Sequence, residues 1–306
     1  MKVSKQHFLW PKVKFNFSSF FGFNRIDNTE KELHKMFPSG YPVLCSSGRV
    51  ALYIAINESN LDRSKKINLY PYASHCVLNT IGRLTNPNPY MSENQIDIIY
   101  HQWGVTFNCN HKPLIEDSVD SLYERNTPLF QGGAKFEIWS LPKILGTTSG
   151  GILWCKKEKD AILIRSKINN KKGIIFSWIL RLLSYKFSLF YSLWEGTEKG
   201  YKGLSRLQIN EIFSQIKLWD KVVENRKEKL DIFKKYSILN DNNLGGRLPS
   251  CLPVKTNISE KKLDGFGFST GIRHFLTETT LEKVFPLPIH QDVSISSLNN
   301  LFKNGG

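Results

Sequence analysis

One lysine sits in a setting unlike that of the other basic residues. Lys143 lies in WSLPKILGTTSGG, Trp139 to Gly151, between two strand-like runs and beside hydroxyls and a Gly-Gly turn. At a strand end such an amine can meet a carbonyl group and join it as a Schiff base. By composition alone it is one of 42 Lys and Arg residues, most of which a fold leaves in water. Asp117 follows the apolar run Pro113 to Ile115, so its carboxylate projects from a strand end toward the same sheet edge as Lys143. A buried carboxylate there can keep a pyridine nitrogen protonated and make the ring an electron sink; an Asp in that place can also cap the next helix. Ser46-Ser47-Gly48-Arg49 ends another short strand and opens a helix. Its free N–H groups and the helix dipole suit an anion such as a phosphate, and the same text fits an ordinary Ser N-cap.

The elements that would position these residues alternate through the first half. Helical text over Glu30 to Phe37 precedes a strand at Tyr41 to Cys45, and Gly48 to Asn57 carries Val50, Ala51, Ile54 and Ala55 on one helical face. A strand at Ile67 to Tyr70, a helix at Ser74 to Leu84 and strands at Ile96 to Tyr100, Pro113 to Ile115, Gly133 to Ser140 and Gly150 to Cys155 follow. The alternation predicts an α/β fold with a mostly parallel, doubly wound sheet and a site at the carboxyl ends of its strands. After Lys156 the text turns helical over Ala161 to Leu193, and one long helix is predicted from Ser205 to Tyr236, broken by Asp241-Asn242-Asn243 and Gly245-Gly246. Short strands, a turn at Gly265-Phe266-Gly267 and a last helix at Ser296 to Phe302 complete a small C-terminal α/β domain. We divide the chain at 1–204 and 205–306.

With 306 residues, 41% hydrophobic, the chain is long enough for a substantial core, which excludes a disordered chain or a disulfide-stapled mini-protein. Its net charge of +15 is spread over pairs such as Lys65-Lys66, Lys171-Lys172 and Lys261-Lys262, without a basic block or a nucleic-acid-binding motif. No nucleic-acid partner is expected. Five scattered cysteines, Cys45, Cys76, Cys109, Cys155 and Cys251, form no Cys-x-x-Cys pair. They speak against a disulfide framework and a zinc site; no metal is expected, and a reducing cytoplasm fits. Residues Met1 to Phe20 lack the apolar core and cleavage site of a signal peptide. Ile174 to Trp194, IIFSWILRLLSYKFSLFYSLW, has the length of a membrane span, but Arg181 and Lys186 stand in its middle. At about 2.5–3.5 kcal/mol per central charge, spanning is disfavoured. The segment is expected to pack on the body or on a partner subunit, or to lie on a membrane surface.

Taken in order, these segments resemble the DegT/DnrJ/StrS sugar aminotransferases, pyridoxal-phosphate enzymes of the aspartate aminotransferase fold (fold type I). CSSGRVALYIAI (Cys45 to Ile56) is similar to the family's phosphate turn, and YPYASHCVLNTI (Tyr70 to Ile81) to its Pro-x-x-Thr-aromatic segment. PLIEDSVDSLY (Pro113 to Tyr123) is similar to its Ile-Glu-Asp-x-Ala-Gln element, and SLPKILGTTSGG (Ser140 to Gly151) to its Schiff-base lysine segment. Ser205 to Leu230 looks like the helix after the lysine; GIRHF and FPLPIHQDVS (Gly271 to Phe275, Phe285 to Ser294) look like C-terminal elements. The resemblance implies pyridoxal 5'-phosphate as cofactor and Lys143 as its Schiff-base lysine and proton carrier. It further implies Asp117 as partner of the ring nitrogen, Gly48, Arg49 and Ser140 at the phosphate, and His75 against the ring face. Asp120 falls where the family has a Gln at the phenolic oxygen, and crowding by Asp117 should raise one of the two pKa values. His290 becomes a candidate substrate ligand; Glu137 and Ser149 stay undecided.

Two departures stand out. Arg49 replaces a Thr, and Tyr201-Lys202-Gly203 replaces the Asn-x-Arg that in the family helps to build the site across a dimer. The resemblance implies a cytoplasmic homodimer that transfers an amino group, with glutamate as the expected donor, to a nucleotide-linked keto-sugar for a surface polysaccharide such as O-antigen or capsule. The charge of +15 suits an anionic substrate of that kind. The departures leave a second possibility, a non-catalytic binding or regulatory subunit with peripheral membrane contact through residues 174–194.

Overall fold

The computed structural model describes residues 7–14, 21–69, 73–89, 96–107, 111–168, 174–184, 187–239, 244–255, 258–277 and 280–305. Cys109, Lys171, Lys172, Lys186 and the break at Asp241-Asn242-Asn243 lie outside them. In chain order the first part runs α1 (Ile26–Met36), β1 (Tyr41–Cys45), α2 (Gly48–Asn57), β2 (Lys66–Asn68), α3 (His75–Gly82), β3 (Asn86–Asn88), β4 (Ile98–Tyr100), β5 (Ile115–Asp117) and β6 (Leu122–Tyr123). Then come β7 (Phe136–Ser140), α4 (Leu141–Leu145), β8 (Gly151–Cys155), α5 (Glu158–Lys167), α6 (Ile174–Ser184) and α7 (Ser188–Thr197). The last part is α8 (Arg206–Ile216), α9 (Trp219–Phe233), β9 (Arg247–Leu248), β10 (Cys251–Val254), α10 (Glu260–Gly265), β11 (Arg273–Leu276), β12 (Leu281–Pro288) and α11 (Ile295–Gly305).

The central sheet has the order β1-β8-β7-β5-β4, and a parallel bridge from Leu69 to Ile98 joins it to the β2-β3 pair. β4, β5 and β7 are parallel, whereas β8 runs against both β7 and β1. The sheet is therefore mixed, and mostly parallel as expected: β8 runs against the direction shared by β1, β7, β5 and β4. The reversal has a local cause: only α4 and a loop separate β7 from β8, too little chain for the crossover of a dozen or more residues that a parallel pair needs. Gly146, at φ 76°, ends α4. Gly151 opens β8 so close to α2 that a Cβ there would stand 2.2 Å from the Ser47 carbonyl carbon.

Alternation along the strands feeds two apolar layers. Val43, Cys45, Phe136, Ile138 and Leu153 pack with α2 and α5 on one face. Leu44, Trp139, Ile152 and Trp154 pack on the other with α1, α8 and α9. In that second layer the rings of Phe37, Tyr123, Trp139, Trp154 and Trp219 stack or meet edge-on; Trp139 lies 4.7 Å from Tyr123 and 5.8 Å from Trp219. The single helix expected over 205–236 is two. Ser205 starts α8 with a capping box, and the helix breaks at Leu218, which lets Trp219 enter the aromatic cluster and donate to the Tyr123 carbonyl at 2.8 Å. The C-terminal segment folds as the antiparallel sheet β10-β12-β11 with α10 and α11. Among the described residues no helix is long and apolar enough to cross a membrane; α6 and α7 pack on each other instead.

Candidate active site

Tyr100, Asp117 and Ser140 are the last residues of β4, β5 and β7, and the parallel registers bring them to one sheet edge. β1 delivers Ser46 and Ser47 to the same edge, where the Ser47 hydroxyl accepts from the Val50 N–H at 3.2 Å and starts α2. Gly48 and Arg49 are the first residues of that helix, so their amides carry its positive dipole end. A cavity of about 960 Å³ opens here. Gly48, Arg49, His75, Asp117, Ser140 and Lys143 all line it.

Lys143, on α4, has a side chain 28% exposed and lies 3.1 Å from Asp120 Oδ1. Its ammonium also stands 4.5 Å from the ring centroid of Trp10. Burial alone would push its pKa down, but Asp120, Cys76 and Asp117 more than offset this, and the net shift is upward. Asp117 is buried and accepts from the Val119 N–H at 3.3 Å. Burial drives its pKa up to about 7, with Lys143 opposing and Asp120 adding to the rise. Crowding by the second carboxylate thus contributes, but loss of water is the larger cause.

Asp120 does not line the cavity. It is fully buried behind Lys143, accepting from Trp10 Nε1 at 2.7 Å and from the Tyr100 hydroxyl at 2.5 Å. In the structure it is the counter-ion of the lysine expected to carry the cofactor. His290 is likewise not brought to the cavity: its Nε2 pairs with the Phe8 carbonyl at 2.9 Å and its Nδ1 accepts from the Asp292 N–H at 3.3 Å. Burial pushes its pKa down to about 3, so it stays neutral as a clamp on the N-terminal segment. Glu137 is also structural, accepting from Tyr123, Trp139 Nε1 and the Phe130 N–H. Ser149 does line the cavity, and its buried hydroxyl has no hydrogen-bond partner among the described residues. His75 is exposed at the start of α3, on the cavity rim.

Arg49 turns toward α7: it hydrogen-bonds the Tyr191 hydroxyl and lies 3.5 Å from Glu195 Oε1. Lys202, from the segment that departs from the family pattern, lines the cavity of its own chain. It donates to the Thr197 carbonyl at 3.1 Å and approaches Glu198 at 3.8 Å. Trp10, Tyr100, Cys76 and Arg273, none of them singled out as a site residue by sequence reasoning, also border the cavity. Tyr100 could have been found as the end of a parallel strand beside Asp117; Trp10 carries no such signal, because its partner is 110 residues away.

A family model described as "Putative PLP-dependent aminotransferase" matches residues 29–304. No curated protein matches the sequence. Among solved structures, AtS13 from Actinomadura melliaura is similar over 99% of this chain and 98% of its own, with a TM-score of 0.67 at 14% identity. The sugar aminotransferase CalS13 from Micromonospora echinospora aligns over 97% of this chain and 99% of its own, with a TM-score of 0.63 at 15% identity. A DegT DnrJ EryC1 StrS aminotransferase from Brucella abortus aligns over 91% and 88%, with a TM-score of 0.60 at 11% identity. At such identities the likeness is one of fold.

Proposed function

This chain belongs to the pyridoxal-phosphate-dependent aminotransferases, and on that premise we propose that it moves an amino group from an amino acid, glutamate first, to a nucleotide-linked keto-sugar for a surface polysaccharide. The observation that carries this is the pairing, in one cavity, of a lysine with a buried strand-end carboxylate beside a helix N-terminus. The cavity fits the cofactor. Ser149 offers a buried hydroxyl without a partner among the described residues, the amides of Gly48 and Arg49 suit a phosphate, and Asp117 is a carboxyl whose pKa is raised to about 7. When bound, pyridoxal phosphate supplies an electrophilic aldehyde and a ring that accepts electrons.

The protein's own groups divide the remaining work. Lys143 Nζ would be the amine that holds the cofactor, and its free amine would be the group able to take and return the proton at the donor's α-carbon. Asp120 holds that amine in place through a 3.1 Å contact and is itself held by Trp10 and Tyr100. Asp117 would be the carboxyl that partners the ring nitrogen of the cofactor. A homodimer working in the cytoplasm completes the proposal. The free thiols of Cys45, Cys76, Cys155 and Cys251 support the compartment. The outward apolar residues Ile175, Phe176, Leu189 and Leu193 of α6 and α7 offer a surface for a second subunit.

An absorbance titration tests the reaction. Purified protein with pyridoxal phosphate should show a visible band that glutamate shifts to shorter wavelength, and Lys143→Ala should lose the band while keeping its circular dichroism. A wild-type protein without a band at saturating cofactor would favour the non-catalytic subunit instead.

A further inference from the structure

Trp10 lines the cavity and touches both members of the Lys143–Asp120 ion pair. Its indole N–H donates to Asp120 Oδ1 at 2.7 Å, the same oxygen that lies 3.1 Å from Lys143 Nζ. The ring of the same indole stands 4.5 Å, centroid to nitrogen, from that ammonium. An indole attracts a cation to its face and donates to an anion from its edge, so one side chain favours the charged form of both groups. The Tyr100 hydroxyl takes the other carboxylate oxygen at 2.5 Å. Asp117 and Cys76 are the further groups that bear on the charge of Lys143.

The chain on either side of Trp10 is anchored in the C-terminal third. Before it, the His7 N–H donates to the Gly267 carbonyl at 2.7 Å, and the His7 carbonyl accepts from the Ser269 N–H at 3.1 Å. The Phe8 carbonyl is held by His290 at 2.9 Å. After it, the Lys12 N–H donates to Asp292 Oδ2 at 2.8 Å, and the Lys14 ammonium pairs with the same carboxylate. Finally the Lys14 N–H donates to the carbonyl of Gly146 at 3.1 Å, the residue that ends α4, the helix of Lys143. With anchors two residues away on either side, the backbone of Trp10 can shift little unless one of them gives.

We propose that Trp10 is a positioning residue for Lys143, and that the segment 7–14 carrying it ties the charge and reach of that amine to the C-terminal sheet β10-β12-β11. A displacement at His290 or Asp292 is then felt at Lys143 through the indole, although neither residue borders the cavity. In giving the amine a role with the cofactor, the proposal rests on the function proposed above.

Full-length protein freed of cofactor is reductively methylated at one pH, and Lys143 is followed by mass spectrometry against the exposed Lys65. Trp10→Ala should speed the reaction at Lys143 about 3- to 10-fold, because the ammonium loses the ring that favours and covers it, and should leave Lys65 unchanged. Trp10→Phe, which restores a ring without the N–H, should fall between. Asp292→Ala loosens the segment from outside the cavity: hydrogen exchange at the amides of Lys12 and Lys14 should quicken, and Lys143 should react faster with it. Should Trp10→Ala fail to fold, Trp10→Phe and Asp292→Ala carry the test. A wild-type or slower rate at Lys143 in the Trp10 variants overturns the positioning role. Faster exchange in Asp292→Ala with an unchanged rate at Lys143 overturns the tie to the C-terminal sheet. The expected rates in a protein that never develops a visible band with pyridoxal phosphate would keep the positioning role and remove the aminotransferase reaction; a band with unchanged rates would do the reverse.

Discussion

Replacing Asp117 by Asn should make the cofactor-free protein more stable, and increasingly so as the pH rises. The carboxyl has an ordinary pKa of 3.8 and one of about 7 in the fold, because burial strips its water and Asp120 adds to the rise, with Lys143 opposing. The folded protein therefore keeps a proton that the unfolded chain releases between those values. Stability from this group is full below pH 3.8 and is lost as the pH climbs toward 7. Three pKa units at about 1.4 kcal/mol each make a total loss of about 4 kcal/mol, of which about 2.5 kcal/mol falls between pH 5 and pH 8. Asn does not titrate, and it retains an oxygen to accept the Val119 N–H. Urea unfolding of both proteins at pH 5 and pH 8 measures the difference, in which the other titrating groups largely cancel. The advantage of the variant should grow by about 2.5 kcal/mol across that range. A difference that stays constant would refute the inference that Asp117 is a strained, half-ionised acid awaiting a cationic partner. The Asn variant should also bind pyridoxal phosphate less well, since stability is gained by removing the group that the ring nitrogen needs.

Three further substitutions probe the groups around this acid. Asp120→Asn removes the nearest counter-ion of Lys143, so the pH profile for reductive methylation of that lysine, read by mass spectrometry, should move down. An unmoved profile would contradict the pairing. Glu116→Gln leaves Arg247 without its 2.8 Å partner where both side chains are fully buried, and should cost about 3–5 kcal/mol in chemical denaturation; a loss below about 1 kcal/mol speaks against a buried, uncompensated charge. Arg226 is fully buried, pushed down to about 10 by burial, and bonded to the Ile144 carbonyl at 3.3 Å, the Leu248 carbonyl at 3.4 Å and Gln291 at 3.2 Å. Arg226→Met should be neutral or stabilising, and a loss above about 2 kcal/mol would mean that these hydrogen bonds outweigh the desolvation.

What the sequence made legible depended on how far away the deciding partner lay. The passage from β1 to α2 is fixed within a few residues: Val43, Leu44 and Cys45 alternate between the two apolar layers, and Ser47 caps the helix three residues before the N–H it accepts. Parallel strands align their ends, so Asp117 and Ser140 could be assigned to one edge together with Lys143, and they do border one cavity. Asp120 lies three residues from Asp117, but its neighbours are Trp10 and Lys143, one of them 110 residues away. His290 had a plausible segment around it, yet the carbonyl that holds it belongs to Phe8, 282 residues earlier. The break at Leu218 was hidden for the same reason. The helical pattern continues through it, and only the aromatic cluster of Phe37, Tyr123, Trp139 and Trp154 explains why Trp219 must turn inward.

Arg181 shows most clearly how a correct local inference stops short of its consequence. A charge amid IIFSWILRLLSYKFSLFYSLW weighs against a membrane span, and among the described residues α6 and α7 are indeed too short for one. The apolar text still has two claims on it, because Ile175, Phe176, Leu189 and Leu193 face outward while Leu180 and Trp194 are buried. Arg181 belongs to neither face. Its methylene stem can cross the apolar packing while the guanidinium reaches the cavity and settles on Trp194. A helix pair that is apolar on its outer side and brings an arginine to its inner side is a wall with a polar interior, and the interior it faces is the one that holds Lys143. The charge that weighs against a membrane span is therefore the same charge that brings this pair of helices to the wall of the cavity.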